Sequence, residues 1–218
     1  MYDAVVLDSD GVLVGLSDQA TLAAAVDRAY RSFGVDPDDD DRAALWVGTD
    51  PERVRTAAAR HGLDPEALWT ERDRAVGAVE RAAVAAGEKP IHDDVAALDG
   101  VDVPLAVASN NLRETVTFVL GRHGLTDRVA SVRAREPRLE SLARRKPDPA
   151  LLTGALADLG VAPERALFVG DGASDVTAAR RAGVDAALLA RPGHDAVEGV
   201  DPTHTLSTLA DLPPLVRG

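Results

Sequence analysis

VVLDSDGVLV, residues 5–14, decides how this chain is read. A short apolar run over 3–7 predicts a buried strand. Where it ends, the chain places Asp8, Ser9, Asp10 and Gly11 in succession. Two carboxylates two positions apart at a strand end need a reason to be there.

The rest of the chain supplies a setting for them. Further short apolar runs at 103–108, 129–132, 166–169 and 185–189 read as buried strands. Helical patterns at 111–122, 149–159 and 173–182 lie between or after them. Strands alternating with helices predict an α/β fold with a Rossmann-like parallel sheet and right-handed crossovers. The rhythm breaks from about 16 to 88, where only helical patterns occur, at 18–33, 40–47, 50–61 and 65–86, with HGLDP as a turn. This predicts an all-helical insertion after the first strand, closing near AGEKP at 86–90, where Gly and Pro suit a hinge. The expected division is a core of 1–15 and 89–218 and a helical unit of 16–88.

In open parallel sheets, ligands bind beyond the carboxyl ends of the strands. Asp8 and Asp10 follow the first strand there, Ser109 and Asn110 follow 103–108, and Asp171 follows 166–169 with Asp175 one turn later. Carboxylates gathered at ~4 Å repel by about 4 kcal/mol per pair at an effective dielectric near 20. Positive charge must sit among them. Hard oxygen ligands without cysteine or clustered histidine favour Mg2+. Asp8 and Asp171 are the expected ligands, with the Asp10 backbone carbonyl, and Asp175 is a fourth candidate. Lys146, in RRKPDPALL, is the other expected charge. The chain has 22 Arg and only two Lys, Lys89 and Lys146; a compact ammonium suits a place where a planar guanidinium does not fit.

Such a set suits phosphoryl transfer. Lys146, Mg2+, the Ser109 hydroxyl and nearby N–H groups neutralise phosphate oxygens, with Ser109, Asn110 and Lys146 as the expected phosphate-binding residues. Asp8 attacks phosphorus and forms an aspartyl-phosphate. Asp10 acts as general acid, then general base. Two carboxylates are present because one attacks while the other moves protons.

Taken in order, DSDGVL at 8–13, Ser109 after an apolar strand, Lys146 in KPDP and GDGASD at 170–175 resemble the four motifs of the haloacid dehalogenase superfamily of phosphohydrolases. The resemblance spans essentially the whole chain. It implies the same roles for Asp8, Asp10, Ser109, Lys146, Asp171 and Asp175, and it makes the helical block an inserted cap domain. Asp10 argues for phosphate esters over dehalogenation. Lys89, at the hinge, is the only lysine besides Lys146, which argues against a Schiff-base phosphonate activity. The pattern is similar to phosphoglycolate phosphatase-like and β-phosphoglucomutase-like members. Gly15 and Leu16 depart from the Asp-Ser or Asp-Thr of many relatives, which bears on cap closure. The arginine-rich lead RAREPRLESLARRKP, 133–147, reads as a loop over the site.

Substrate choice is expected in the cap, at LWVGTDPERV, 45–54, with Trp46, Gly48, Thr49 and Arg53 as candidates. Arg53 suits a substrate carboxylate or second phosphate; the plain alternative is a helix–turn–helix with a surface arginine. Histidines 61, 92, 123, 194 and 204 show no ligand spacing and are expected mostly at the surface or at helix ends. Two other functions fit parts of the pattern. A sugar-phosphate mutase would retain the aspartyl-phosphate for transfer. A phospho-accepting signalling domain also joins acids, a hydroxyl and a lysine, but is shorter and has its lysine last.

Composition bounds the rest. The net charge of −12 argues against nucleic acid and anionic membranes as partners. No apolar run approaches the ~18 residues of a membrane helix, and the N-terminus has no basic leader. With no cysteine there is no disulfide framework and no thiolate chemistry. The expectation is a cytoplasmic protein acting on a small phosphorylated metabolite, as a monomer or weak homodimer. The 26 Asp against 10 Glu, with Arg in place of Lys, fits a salt-adapted surface or a GC-rich genome. The run DPDDDDRAA, 36–44, is expected to start a helix, where acids favour the N-terminal dipole.

Overall fold

The strand of residues Ala4–Leu7 (β1) is AVVL, and all four side chains are buried. Burial on both faces explains why it is continuously apolar. Val5 and Leu7 enter one core cluster and Val6 the other. The computed structural model describes residues 1–191 and 197–216.

Four helices follow β1: α1 (Gln19–Arg31), α2 (Asp39–Ala44), α3 (Pro51–Arg60) and α4 (Pro65–Ala86). The chain then alternates through β2 (Leu105–Leu112), α5 (Arg113–Arg122), β3 (Val129–Arg135), α6 (Ala150–Leu159), β4 (Ala166–Gly170), α7 (Ala173–Ala182), β5 (Asp185–Leu189), β6 (His204–Leu206) and α8 (Leu212–Val216). The sheet order is β3-β2-β1-β4-β5-β6, with every pair parallel. The order reverses beside β1, so β1 lies at the switch point where such sheets open a crevice. This is the expected α/β Rossmann-like sheet with an all-helical insertion.

Aspartate builds the insertion. Asp18, Asp38, Asp50 and Asp64 cap α1, α2, α3 and α4, each accepting from a first-turn N–H. Each such cap contributes about 1 kcal/mol. The acidic run at 36–44 thus supplies a cap and a first turn, as expected, and Asp41 within it is buried against Arg60 and His61. The inserted helices have their own apolar cluster of Val26, Tyr30, Leu45, Val54, Ala58, Leu68 and Trp69. Leu139 and Leu142, from the 3-10 helix Leu139–Arg144 after β3, complete that cluster. The arginine-rich lead into Lys146 is therefore an anchored support for the insertion.

Three expectations shift. β2 starts at 105 and continues to Leu112, pairing with β3 across an irregularity between Ser109 and Leu112. β3 continues past 132 to Arg135, beyond its apolar part. β6 is a sixth strand of three residues, only one of them buried, too short and polar to read as a strand. His194 lies outside the described residues. Among the described residues, no helix is long and apolar enough to cross a membrane.

Candidate active site

The loop after β1 folds tightly. The Gly11 N–H donates to Val14 O (2.8 Å), and the Leu13 N–H donates to Ser9 O (2.8 Å). The two connections to the inserted helices pair with each other beside it: Gly15 N–H to Pro90 O (3.0 Å) and His92 N–H to Leu13 O (2.9 Å). Arg191 fixes the loop from below, donating to Gly11 O and Val12 O while paired with Asp94. The turn that presents Asp8 and Asp10 is thus held from three sides.

Asp8, Asp171 and Asp175 come together beyond β1 and β4; each offers an oxygen, and these oxygens lie within 4.8 Å of one another. Lys146 Nζ sits 2.8 Å from Asp8 Oδ2 and 2.8 Å from Asp175 Oδ1, and donates to Ala108 O at 3.0 Å. Burial opposes the Lys146 charge, but Asp175 and Asp8 outweigh it and hold the ammonium above the ordinary lysine range. Burial raises Asp8 to about 7 against the pull of Lys146, with Asp175 and Asp10 adding to the rise. Burial and the neighbouring Asp175 raise Asp171 to about 6. One ammonium does not balance three carboxylates. All three are hard oxygen donors, and this chemistry fits a Mg2+ ion.

Glycines allow the approach. A β-carbon on Gly170 would stand 2.3 Å from the Asp175 β-carbon, so that helix α7 can begin directly against the strand end. The Asp175 Oδ2 accepts from the Gly172 N–H at 3.0 Å, which caps the same helix.

Ser109 is buried, lines the cavity, and accepts from the Asn111 N–H at 3.2 Å. Asn110 holds the Lys146 backbone with both ends of its amide: Oδ1 accepts from the Lys146 N–H (2.7 Å) and Nδ2 donates to Lys146 O (3.0 Å). Its side chain thus holds Lys146 in place, and Asn110 also lines the cavity. The Asp10 carboxylate points away from the three-acid cluster, toward Lys89 and Asn111.

The cavity over these groups is about 490 Å3. The insertion contributes Leu16, Leu22, Val47, Gly48, Trp69, Arg72, Val76 and Glu80 to its wall. Of the four cap candidates, Gly48 lines it, at φ +90. Trp46 packs on the apolar cluster of the insertion, and Thr49 is buried with its hydroxyl donating to Ala44 O. Arg53 is exposed on α3 and does not line the cavity.

Other arginines enter instead. Arg135 grips Asp73 with two bonds of 2.9 Å, and Arg72 adds a third at 3.0 Å. Arg72 and Arg135 lie over the Trp69 ring at 4.8 and 5.3 Å. Arg145 donates to Thr49 O, while its Nε is buried with no hydrogen-bond partner. Burial, then Arg135 and Arg72, lower Arg145 to about 10. The guanidiniums of Arg72, Arg135 and Arg145 thus line the cavity, two of them bonded to the Asp73 carboxylate. Sequence reading does not single out Arg72, Glu80 or Asn111; it notes Arg135 and Arg145 only within the arginine-rich lead over the site, and Lys89 only at the hinge. The scarcity of lysine that marks Lys146 marks Lys89 equally and is the one available signal. Of the histidines, His61 meets Asp41 and His204 meets Tyr2, and neither lines the cavity.

Comparison with known proteins bears on the family and the fold. A phosphoglycolate phosphatase of Pseudomonas aeruginosa is 29% identical over 219 residues, covering 96% of this chain and 78% of that protein. The pyrophosphatase PpaX of Halalkalibacterium halodurans is 30% identical over 124 residues, 56% of each chain. The structure of CbbY from Rhodobacter sphaeroides in complex with phosphate superposes with a TM-score of 0.70 at 24% identity, covering 97% of this chain and 96% of that one. The family model of haloacid dehalogenase-like hydrolases matches residues 2–183. With that match over most of its length, the chain belongs to the haloacid dehalogenase-like hydrolases.

Proposed function

We propose that the protein is a Mg2+-dependent phosphatase that hydrolyses small phosphate monoesters through an aspartyl-phosphate on Asp8. The observation that carries this reading is the meeting of Asp8, Asp171 and Asp175 around one buried lysine at the sheet's switch point. Asp8, Asp171 and Asp175 would hold the ion, with the Asp10 backbone carbonyl. When bound, Mg2+ supplies positive charge to the acids and to the phosphate oxygens.

The residues divide the work. Lys146 and the Ser109 hydroxyl hold phosphate oxygens and aim phosphorus at Asp8. The Asp8 carboxylate attacks phosphorus, and the bond to the ester oxygen breaks. Asp10 gives its proton to that oxygen, so the product leaves as an alcohol. Asp10 then takes a proton from water as the water oxygen attacks phosphorus. Phosphate leaves and Asp8 is restored. The helical unit, 16–88, covers this centre, and the core comprises 1–15 and 89–218.

The excess of guanidinium around Asp73 supports a substrate with a second anionic group beyond its phosphate. Phosphoglycolate, the substrate named for the Pseudomonas aeruginosa relative, has such a group. The acidic composition supports cytoplasmic residence and a salt-adapted surface.

The test is phosphate release from a panel of phosphoglycolate, glycerol phosphate, pyrophosphate and sugar phosphates. It is run with and without Mg2+, in dilute buffer and in molar KCl, beside Asp8→Asn. Release requiring both Mg2+ and Asp8 is expected. Conversion of a sugar phosphate that depends on its bisphosphate, without net release, would replace this reading with the mutase.

A further inference from the structure

Resting on the phosphatase reading, we infer that Lys89 and Glu80 are positioning residues for Asp10, and that they make its proton transfer depend on the docking of helix α4. Both lysines of the chain are buried, Lys89 at 2% exposure and Lys146 at 4%. Lys146 sits in the phosphate site. Lys89 lies in the second connection to the insertion and serves the other catalytic carboxylate.

An ammonium has three N–H donors. Those of Lys89 have three acceptors: the Asp10 carboxylate at Oδ1, Ser17 Oγ at 2.9 Å and Glu80 Oε1 at 3.3 Å. The second Asp10 oxygen, Oδ2, accepts from Asn111 Nδ2 at 2.9 Å. That same amide also donates to Glu80 Oε1 at 3.2 Å, and Ser17 Oγ donates to it at 2.8 Å. Both donors that fix Asp10 therefore share one Glu80 oxygen as a further acceptor.

The partners come from separate parts of the chain. Ser17 is in the first connection, Lys89 in the second, Asn111 at the end of β2, and Glu80 on α4 within the insertion. If α4 moves off the core, Lys89 and Asn111 lose their common acceptor and the Asp10 carboxylate loses its fixed orientation. A buried charge cluster is a poor device for stability alone, since apolar residues of equal volume serve as well. Here the cluster grips the one carboxylate that moves protons. It also explains the use of lysine in an arginine-rich chain. Three acceptors converge on a point, which suits an ammonium and not a planar fork.

The test compares kcat/KM for the best alkyl ester of the panel with kcat/KM for p-nitrophenyl phosphate. Nitrophenolate leaves without a proton, and kcat/KM covers only the steps through release of the leaving group. In Lys89→Met and Glu80→Gln the alkyl ester is expected to lose about 10²-fold, as for removal of a general acid. The aryl ester should lose less than about fivefold, and Asp10→Asn should give the same split. Lys89→Arg, whose planar fork does not suit three converging acceptors, should show the same split. Should Lys89→Met fail to fold, Glu80→Gln, which keeps the side-chain shape, gives the same comparison. Equal losses on both esters in folded variants, or no loss on the alkyl ester, would overturn the inference while leaving the phosphatase reading intact. An inactive wild type on both esters would overturn both.

Discussion

The Asp171 carboxylate lies directly against the backbone of Gly11. A β-carbon at position 11 would stand 1.8 Å from Asp171 Oδ2, and Gly11 itself has φ +78. The first motif and the last are therefore packed through a glycine, and the space between them leaves no room for a methyl group. Gly11→Ala should push Asp171 out of the acidic cluster and strain the turn that presents Asp10. A displacement of about 1 Å in such a site costs on the order of 10²-fold in rate. The expected result is that loss in kcat/KM with a raised Mg2+ requirement, read from a Mg2+ titration of phosphate release.

Asp8→Asn removes the proposed nucleophile and leaves its neighbours in place. Turnover should fall by more than about 10⁴-fold, as when one member of a concerted catalytic unit is deleted. Lys146 keeps its contacts with Asp175 and Ala108 O, so the fold persists. Circular dichroism matching wild type, with phosphate release at background, checks this; substantial release from a clean preparation would refute the assignment of Asp8.

Arg145 should govern preference among esters. Its buried Nε has no hydrogen-bond partner in the protein. A hydrogen bond to a charged group contributes about 1.5–3 kcal/mol. Arg145→Gln is expected to lower kcat/KM for a carboxylate-bearing ester by roughly 10- to 100-fold. An ester with a neutral tail should change little. The ratio between the two esters is the measurement.

Asp94 links acid stability to the loop beneath the site. Burial disfavours its charge. Arg191, the Leu209 N–H and the Thr208 hydroxyl outweigh burial and hold its pKa at about 2, below the ordinary 3.8. A carboxylate depressed in this way stabilises the fold above about pH 4. That contribution disappears as pH falls toward 2. Asp94→Asn should cost about 2 kcal/mol at pH 7, a drop of roughly 4–8 °C in melting temperature for a chain of this size. Melts of the two proteins from pH 6 to pH 2 should converge at the acid end.

The acids were legible because each breaks an apolar run at a strand end, where only function or a turn puts charge. Lys146 was legible because arginine replaces lysine almost everywhere else. Asn110 illustrates the limit. Its neighbour Ser109 marks it as a site residue, yet its amide closes on the backbone of a residue 36 positions away. Arg53 shows the same limit from the other side. Twenty-two arginines can be counted in the sequence, but which of them enter the cavity depends on how α4, β3 and the lead into Lys146 pack. Arg72 and Arg135 enter because Asp73 and the Trp69 ring draw them there. Strand β6 escaped because an edge strand with one buried side chain has no apolar period to read.

The burial of both lysines closes every side-chain amine of this sequence to solvent. An amine-directed reagent therefore meets two closed lysine targets on the folded protein, one against Asp10 and one against Asp8. Slow acylation of a lysine side chain would count, molecule by molecule, the openings that uncover Lys89 or Lys146.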